Sequence, residues 1–103
     1  MKILLTNDFG NAMLKQEKEI VMEFIASMEK FRDMTKTQIL DQDTVIKLSS
    51  SRKKTKLFAY NIQGNNYAIF SFTNKNELIF VDYVTFRNGK VVSITYPEET
   101  KTD

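Results

Sequence analysis

The chain predicts an α+β fold in one domain over residues 1–103: a long N-terminal helix, and a second short one, packed on a mostly antiparallel sheet of four or five strands. Two observations carry this reading. Apolar residues recur at helical spacing up to Phe31, and from Thr44 onward they fall in short β-type runs separated by turn residues. Asn88-Gly89 adds a third, since a type I′ hairpin turn needs positive φ at both central positions and this pair supplies it.

Lys2 to Leu5 reads as a short edge strand. Asn11 is a suitable N-cap for a helix from Ala12 to Phe31, in which Leu14, Val21, Phe24, Met28 and Phe31 make one stripe. Glu17 occupies the one missed position of that stripe, while Ile20 and Ile25 widen it. Lys15, Lys18, Glu19, Glu23, Glu29 and Lys30 form the opposite, charged face. Thr35 followed by Gln38 has capping-box spacing, so a short helix is expected from Thr35 to Gln42.

Strands are then expected at Thr44–Leu48, Lys56–Ile62, Tyr67–Thr73, Leu78–Phe86 and Val91–Tyr96. A two-residue turn at Asn88-Gly89 would set Phe86 opposite Val91, Thr85 opposite Val92 and Tyr83 opposite Ile94. Leu78–Phe86 is apolar on both faces, as a central strand should be. Phe24, Met28, Ile79, Val81 and Ile94 are the expected core. Pro97 ends the last strand and residues 97–103 read as a polar tail.

Composition narrows the chemistry. The chain has no Cys and no His, which excludes disulfides, thiolate metal sites and imidazole catalysis. Asp41 with Asp43, and Glu98 with Glu99, lack the spacing of a metal loop, and three glycines make no phosphate-binding loop. No metal or cofactor is therefore expected. No apolar run approaches the length of a membrane span, and Met1–Leu5 is too short for a signal sequence, so a cytoplasmic location is the default expectation.

Charge is strongly segregated. Thr44–Asn76 contains no acid and carries Lys47, Arg52, Lys53, Lys54, Lys56 and Lys75, a charge of +6, whereas the segment on either side is −2. Such a stretch attracts a polyanion or an acidic protein surface, and these six residues are the expected binding surface. Tyr60, Tyr67 and Tyr83 could stack bases, although strand tyrosines more often fill core.

Within the acid-free stretch, Ala59-Tyr60-Asn61-Ile62-Gln63-Gly64-Asn65-Asn66-Tyr67-Ala68-Ile69 resembles the strand–turn–strand signature of RelE-superfamily toxins of the HigB type, Val-Phe-Asn-Ile-x-Gly-Asn-x-Tyr-Arg-Leu. Asp43–Ser51 and Leu78–Val84 resemble the segments that flank it. The resemblance spans Asp43 to Arg87 and implies a RelE-like fold with a basic concave sheet. It further implies a ribosome-associated mRNA endonuclease, working without His or metal and paired with an antitoxin, or a catalytically degenerate relative.

The family's Arg after the hairpin Tyr is Ala68 here, and the HigB-type Gly-Thr-His-Ala-Glu-Tyr-Asp motif is absent. The family also relies on lysines in the preceding strand, an Arg after the following one and a C-terminal Tyr. By position this points to Lys54, Lys56, Arg87 and Tyr96 as the catalytic set. The alternative function is a small non-enzymatic inhibitor or binding protein, of phage or mobile-element origin, that acts through its basic face.

Overall fold

A computed structural model describes residues 1–48, 56–87 and 90–94, excepting the side chains of 86, 87 and 90–94. The order is β1 (Ile3–Leu5), α1 (Asn7–Leu14), α2 (Lys18–Arg32), α3 (Lys36–Leu40), β2 (Val45–Leu48), β3 (Leu57–Gln63), β4 (Asn66–Phe72), β5 (Leu78–Arg87) and β6 (Lys90–Ile94). The sheet runs β1-β5-β4-β3-β2, with β6 also pairing β5. It is mixed: β1 lies parallel to β5, and the other pairs are antiparallel.

The expected long helix is two helices. Thr6, not Asn11, caps the first: its Oγ1 accepts the Phe9 N–H at 3.1 Å. The chain breaks after Leu14 and restarts with Glu17 as the N-cap of α2. Glu17 is the position the apolar stripe missed, so what looked like a lapse in one helix is the joint between two. Leu14, assigned to the buried stripe, is 83% exposed as a result. In α3 the capping box forms as the spacing requires, with Thr35 Oγ1 accepting from Gln38 N and Gln38 Oε1 accepting from Thr35 N.

The helices cover one face of the sheet. Phe9, Phe24, Phe31 and Ile39 meet Phe58, Tyr60, Phe70, Leu78 and Phe80 in one cluster. Phe80 is its hub, with ring centroids 5.3 Å from Phe9, 4.9 Å from Phe24 and 5.7 Å from Phe70. Ser27 Oγ meets the buried Tyr60 hydroxyl at 2.5 Å and donates to the Glu23 carbonyl, so the polar pair inside this cluster is satisfied. The opposite face holds a smaller cluster of buried Ala59, Ile69 and Val84, with half-buried Leu48, Leu57, Tyr67 and Val81 around it.

A β-bulge divides the faces of β5 differently from simple alternation. Ile69 pairs with Asp82 and Phe70 with Phe80, which leaves Val81 as the extra residue. Leu78, Phe80 and Tyr83 therefore join the helix-side cluster, while Val81 and Val84 join the other. Ile79 and Val81, expected in the core, are only half-buried, as is Met28; Phe24 is buried as expected. A second irregularity between Thr85 and Phe86 changes the last pairing. Phe86 faces Val91, but Thr85 faces Ser93 and Val84 faces Ile94. The Asn88-Gly89 turn, the tail 97–103 and the Ile94 side chain lie outside the described residues.

Candidate nucleic-acid interface

The lysines of the acid-free stretch that the structure describes gather at one end of the sheet. Lys47 lies opposite Phe58 on β2, and Phe58 is in register with Phe70 and then Phe80. Lys56 immediately precedes β3, where its carbonyl accepts the Ser71 hydroxyl at 2.9 Å. Lys75 sits in the turn between β4 and β5, its N–H donating to Thr73 Oγ1 at 3.2 Å. All three side chains are exposed.

Folding adds two lysines to this end that linear charge did not group with them. The ammonium of Lys36, at the start of α3, stands 4.9 Å from the centroid of the half-buried Phe72 ring, a cation–π placement. Lys2 accompanies β1, where its carbonyl accepts the Leu78 N–H and its ammonium lies 3.7 Å from Glu77. The sequence signal for Lys36 was its place in the first turn of a helix whose C-terminus leads straight into β2.

Arg87 is elsewhere. It ends β5 seven residues beyond Phe80, whereas Lys56 lies two residues before Phe58 in the same register row. At about 3.3 Å per residue, and with Val81 bulged out of the count, the backbones of the two are roughly 25 Å apart along the strands. Arg52, Lys53, Lys54 and Tyr96 lie outside the described residues.

The resemblance also implied cations on the strand before the hairpin and a basic sheet face. The strand is Leu57–Gln63, and neither it nor β4 contains a Lys or Arg. On the face away from the helices the described side chains are the apolar cluster of Ala59, Ile69 and Val84, with the buried carboxylate of Asp82 beside it. Asp82 Oδ1 accepts the Tyr83 N–H at 2.8 Å. Among the described residues, the lysines of the acid-free stretch stand toward one end of the sheet, and none is on β3 or β4.

The hairpin's signature residues serve the turn. Gly64 takes φ +56, a left-handed conformation that side-chain-bearing residues rarely adopt, whereas its turn neighbour Asn65 does not adopt positive φ. Asn61 Nδ2 donates to the Gly64 carbonyl at 3.0 Å and the Asn66 carbonyl at 3.3 Å. Asn66 Oδ1 accepts the Tyr83 hydroxyl at 2.5 Å. Burial raises the Tyr83 pKa above its ordinary value, the Thr85 hydroxyl opposes that shift, and the negative charge of Glu17 adds to it. Tyr60 and Tyr83 are buried, so neither offers a ring face for stacking; Tyr67 is half-buried.

Among the described residues no group of acidic side chains is placed to hold a metal ion, and no helix is long and apolar enough to cross a membrane. No family model matches this sequence, and no curated protein matches it. The fold does have a solved counterpart. A chain of the archaeal RelE–RelB complex from Pyrococcus horikoshii OT3 superposes with a TM-score of 0.56 at 18% identity, over 80% of this chain and 90% of that one. The likeness is one of fold, and it agrees with the RelE-like architecture expected from the hairpin.

Proposed function

We propose that this chain is a RelE-like toxin of a toxin–antitoxin pair, directed at RNA on the ribosome and held in check by a protein antitoxin. The observation that carries the reading is the fold, whose counterpart is a chain of a RelE–RelB complex. The signature of the hairpin Ala59–Ile69 is what supports the HigB-type branch within this reading. Support for RNA as target comes from Lys36, Lys47, Lys56 and Lys75 at one end of the sheet, where a phosphate backbone would meet several cations at once.

In the enzymatic form of this reading, Lys54 and Lys56 supply charge to the pentacoordinate phosphate, Tyr96 moves the proton, and Arg52 and Lys53 hold the strand. Arg87 acts apart from them. One observation favours a second reading: β3 and β4 carry no cation. That suits a degenerate relative which binds and blocks without cutting, the small inhibitor whose basic end docks on an anionic partner.

Induced expression separates the two. The toxin reading requires growth arrest, relief by a co-expressed partner protein, and new mRNA 5′ ends at ribosome-occupied codons. Growth arrest with intact mRNA selects the non-enzymatic inhibitor. Harmless expression, with no affinity for RNA oligonucleotides at low salt, refutes RNA as the target in both.

A further inference from the structure

The lysine-rich end of the sheet carries a charge that no described residue offsets. Lys36, Lys47, Lys56 and Lys75 stand there, exposed. The one ion pair among the described residues, Lys2 with Glu77 at 3.7 Å, involves none of them. Ammonium groups gathered without a counter-charge raise the local potential and recruit an anion.

The chain holds such an anion in its own last segment. Residues 95–103 carry Glu98, Glu99 and Asp103 against Lys101, a net charge of −2. β6 delivers the chain to Ile94 pointed toward the lysines, because it runs antiparallel to β5, and Lys75 lies in the turn that precedes Leu78. Ile94 stands opposite Val84, and Leu78 is five ladder positions further along once the bulged Val81 is discounted. That is roughly 16 Å at about 3.3 Å per residue, and the nine residues after Ile94 can span up to about 30 Å.

Strand pairing cannot lead the chain to that end. β4 fills one edge of β5, β1 fills the other from Leu78 to Phe80, and Pro97 has no N–H with which to extend a ladder. What draws the acids there is charge. We propose that Glu98, Glu99 and Asp103 dock on Lys47, Lys56 and Lys75 of the same chain and act as a built-in competitor of an outside polyanion. Each contact is a weak surface pair, but the tether makes the second and third intramolecular, so the set forms at low salt and yields to a longer phosphate backbone. The competition rests on the RNA reading above, whereas the docking does not.

The full chain has no Cys, so Thr102→Cys gives a single site for a nitroxide label. At low salt the label should broaden the amide signals of Lys47, Lys56 and Lys75 more than those of Asn66 and Tyr67, which lie in the strand rows where β6 ends. Raising salt to about 0.5 M should remove that preference. The preference should also vanish when Glu98→Gln, Glu99→Gln and Asp103→Asn are combined. Those three changes should raise affinity for single-stranded RNA at low salt about threefold more than Glu19→Gln, Glu23→Gln and Glu29→Gln, an equal charge change on exposed positions of α2.

Broadening strongest at Asn66 and Tyr67, or a lysine preference that survives neutralisation of the tail, overturns the docking. So does broadening that passes only between separate copies, which assigns the lysine end to a second chain. Equal gains in RNA affinity for the tail and α2 variants overturn the competition. Docking in a chain that binds no RNA with either tail would uphold the contact and refute RNA as the target.

Discussion

Phe24 and Ile25 are neighbours on α2 with opposite fates, and truncating each to Ala measures how completely the helix buries one side. Phe24 is 2% exposed, with its ring centroid 5.1 Å from Phe9 and 4.9 Å from Phe80. Removing it costs the transfer energy of a large side chain and leaves a cavity that Phe9 and Phe80 fill only in part. Phe→Ala changes of this kind cost about 3–5 kcal/mol. Ile25 is 47% exposed and lines an open groove, so Ile25→Ala leaves no enclosed void and should cost under about 1 kcal/mol.

A domain of this length holds about 5–15 kcal/mol in all, so Phe24→Ala removes a large share without necessarily unfolding the chain. With a urea slope of about 1.5 kcal/mol/M, its midpoint should fall by roughly 2–3 M and that of Ile25→Ala by under about 0.7 M. Equal shifts for the two, or a Phe24→Ala shift worth under about 0.5 kcal/mol, would mean that α2 does not dock through Phe24.

Ser27→Ala should cost about 1–3 kcal/mol by urea denaturation, more than Tyr60→Phe, because it strands the buried Tyr60 hydroxyl while Tyr60→Phe leaves Ser27 its bond to the Glu23 carbonyl. A larger loss in Tyr60→Phe refutes that assignment. For Tyr83 the folded pKa lies above the unfolded value of 10.0, so the unfolded state loses its proton first. The stability this contributes is complete below pH 10 and falls as pH rises toward the folded pKa. Urea midpoints compared at pH 9 and 11 should therefore drop more for wild type than for Tyr83→Phe, and an equal drop rejects the linkage. At the lysine end, Lys56→Ala and Lys75→Ala should each reduce the slope of log affinity for single-stranded RNA against log salt by about 0.7, while Arg87→Ala should leave it unchanged.

Much of the fold was legible in residue order because local chemistry agreed with tertiary need. Thr35 and Gln38 stand three apart and form the box that spacing implies, and β2 to β6 each appear within two residues of the expected starts and ends. The failures share one cause. A break in periodicity at Glu17 and an extra residue at Val81 are each small disturbances in a one-dimensional pattern, but each redirects every side chain after it. The bulge at Val81 carries Tyr83 to the helix side, and no property of Val81 itself announces this. Parallel pairing of β1 with β5 was similarly hidden, since three residues carry no signal of strand direction.

Charge shows the same limit and bears on function. The acid-free stretch was visible at once, yet which face its cations occupy depends on where strands begin. Lys56 misses β3 by one residue, and that residue moves it from a strand's surface to the rim of the sheet. Lys36 arrives from another segment and turns a linear cluster into a spatial one, beside an aromatic ring and without a carboxylate in the contact. A catalytic phosphate site needs cations that converge from several strands on one point, held rigid before the substrate arrives. A binding rim needs only several cations along one side, each screened by salt and each worth little alone. The described lysines have the second arrangement. If this fold cleaves RNA, Lys54 joins Lys56 in supplying the transition-state charge while Arg52 and Lys53 hold the strand, so replacing Arg52, Lys53 and Lys54 together by Ala should abolish cutting. Loss of cleavage with RNA affinity reduced only in proportion to the charge removed would identify a catalytic role. Unchanged cleavage would move the chemistry off that segment altogether.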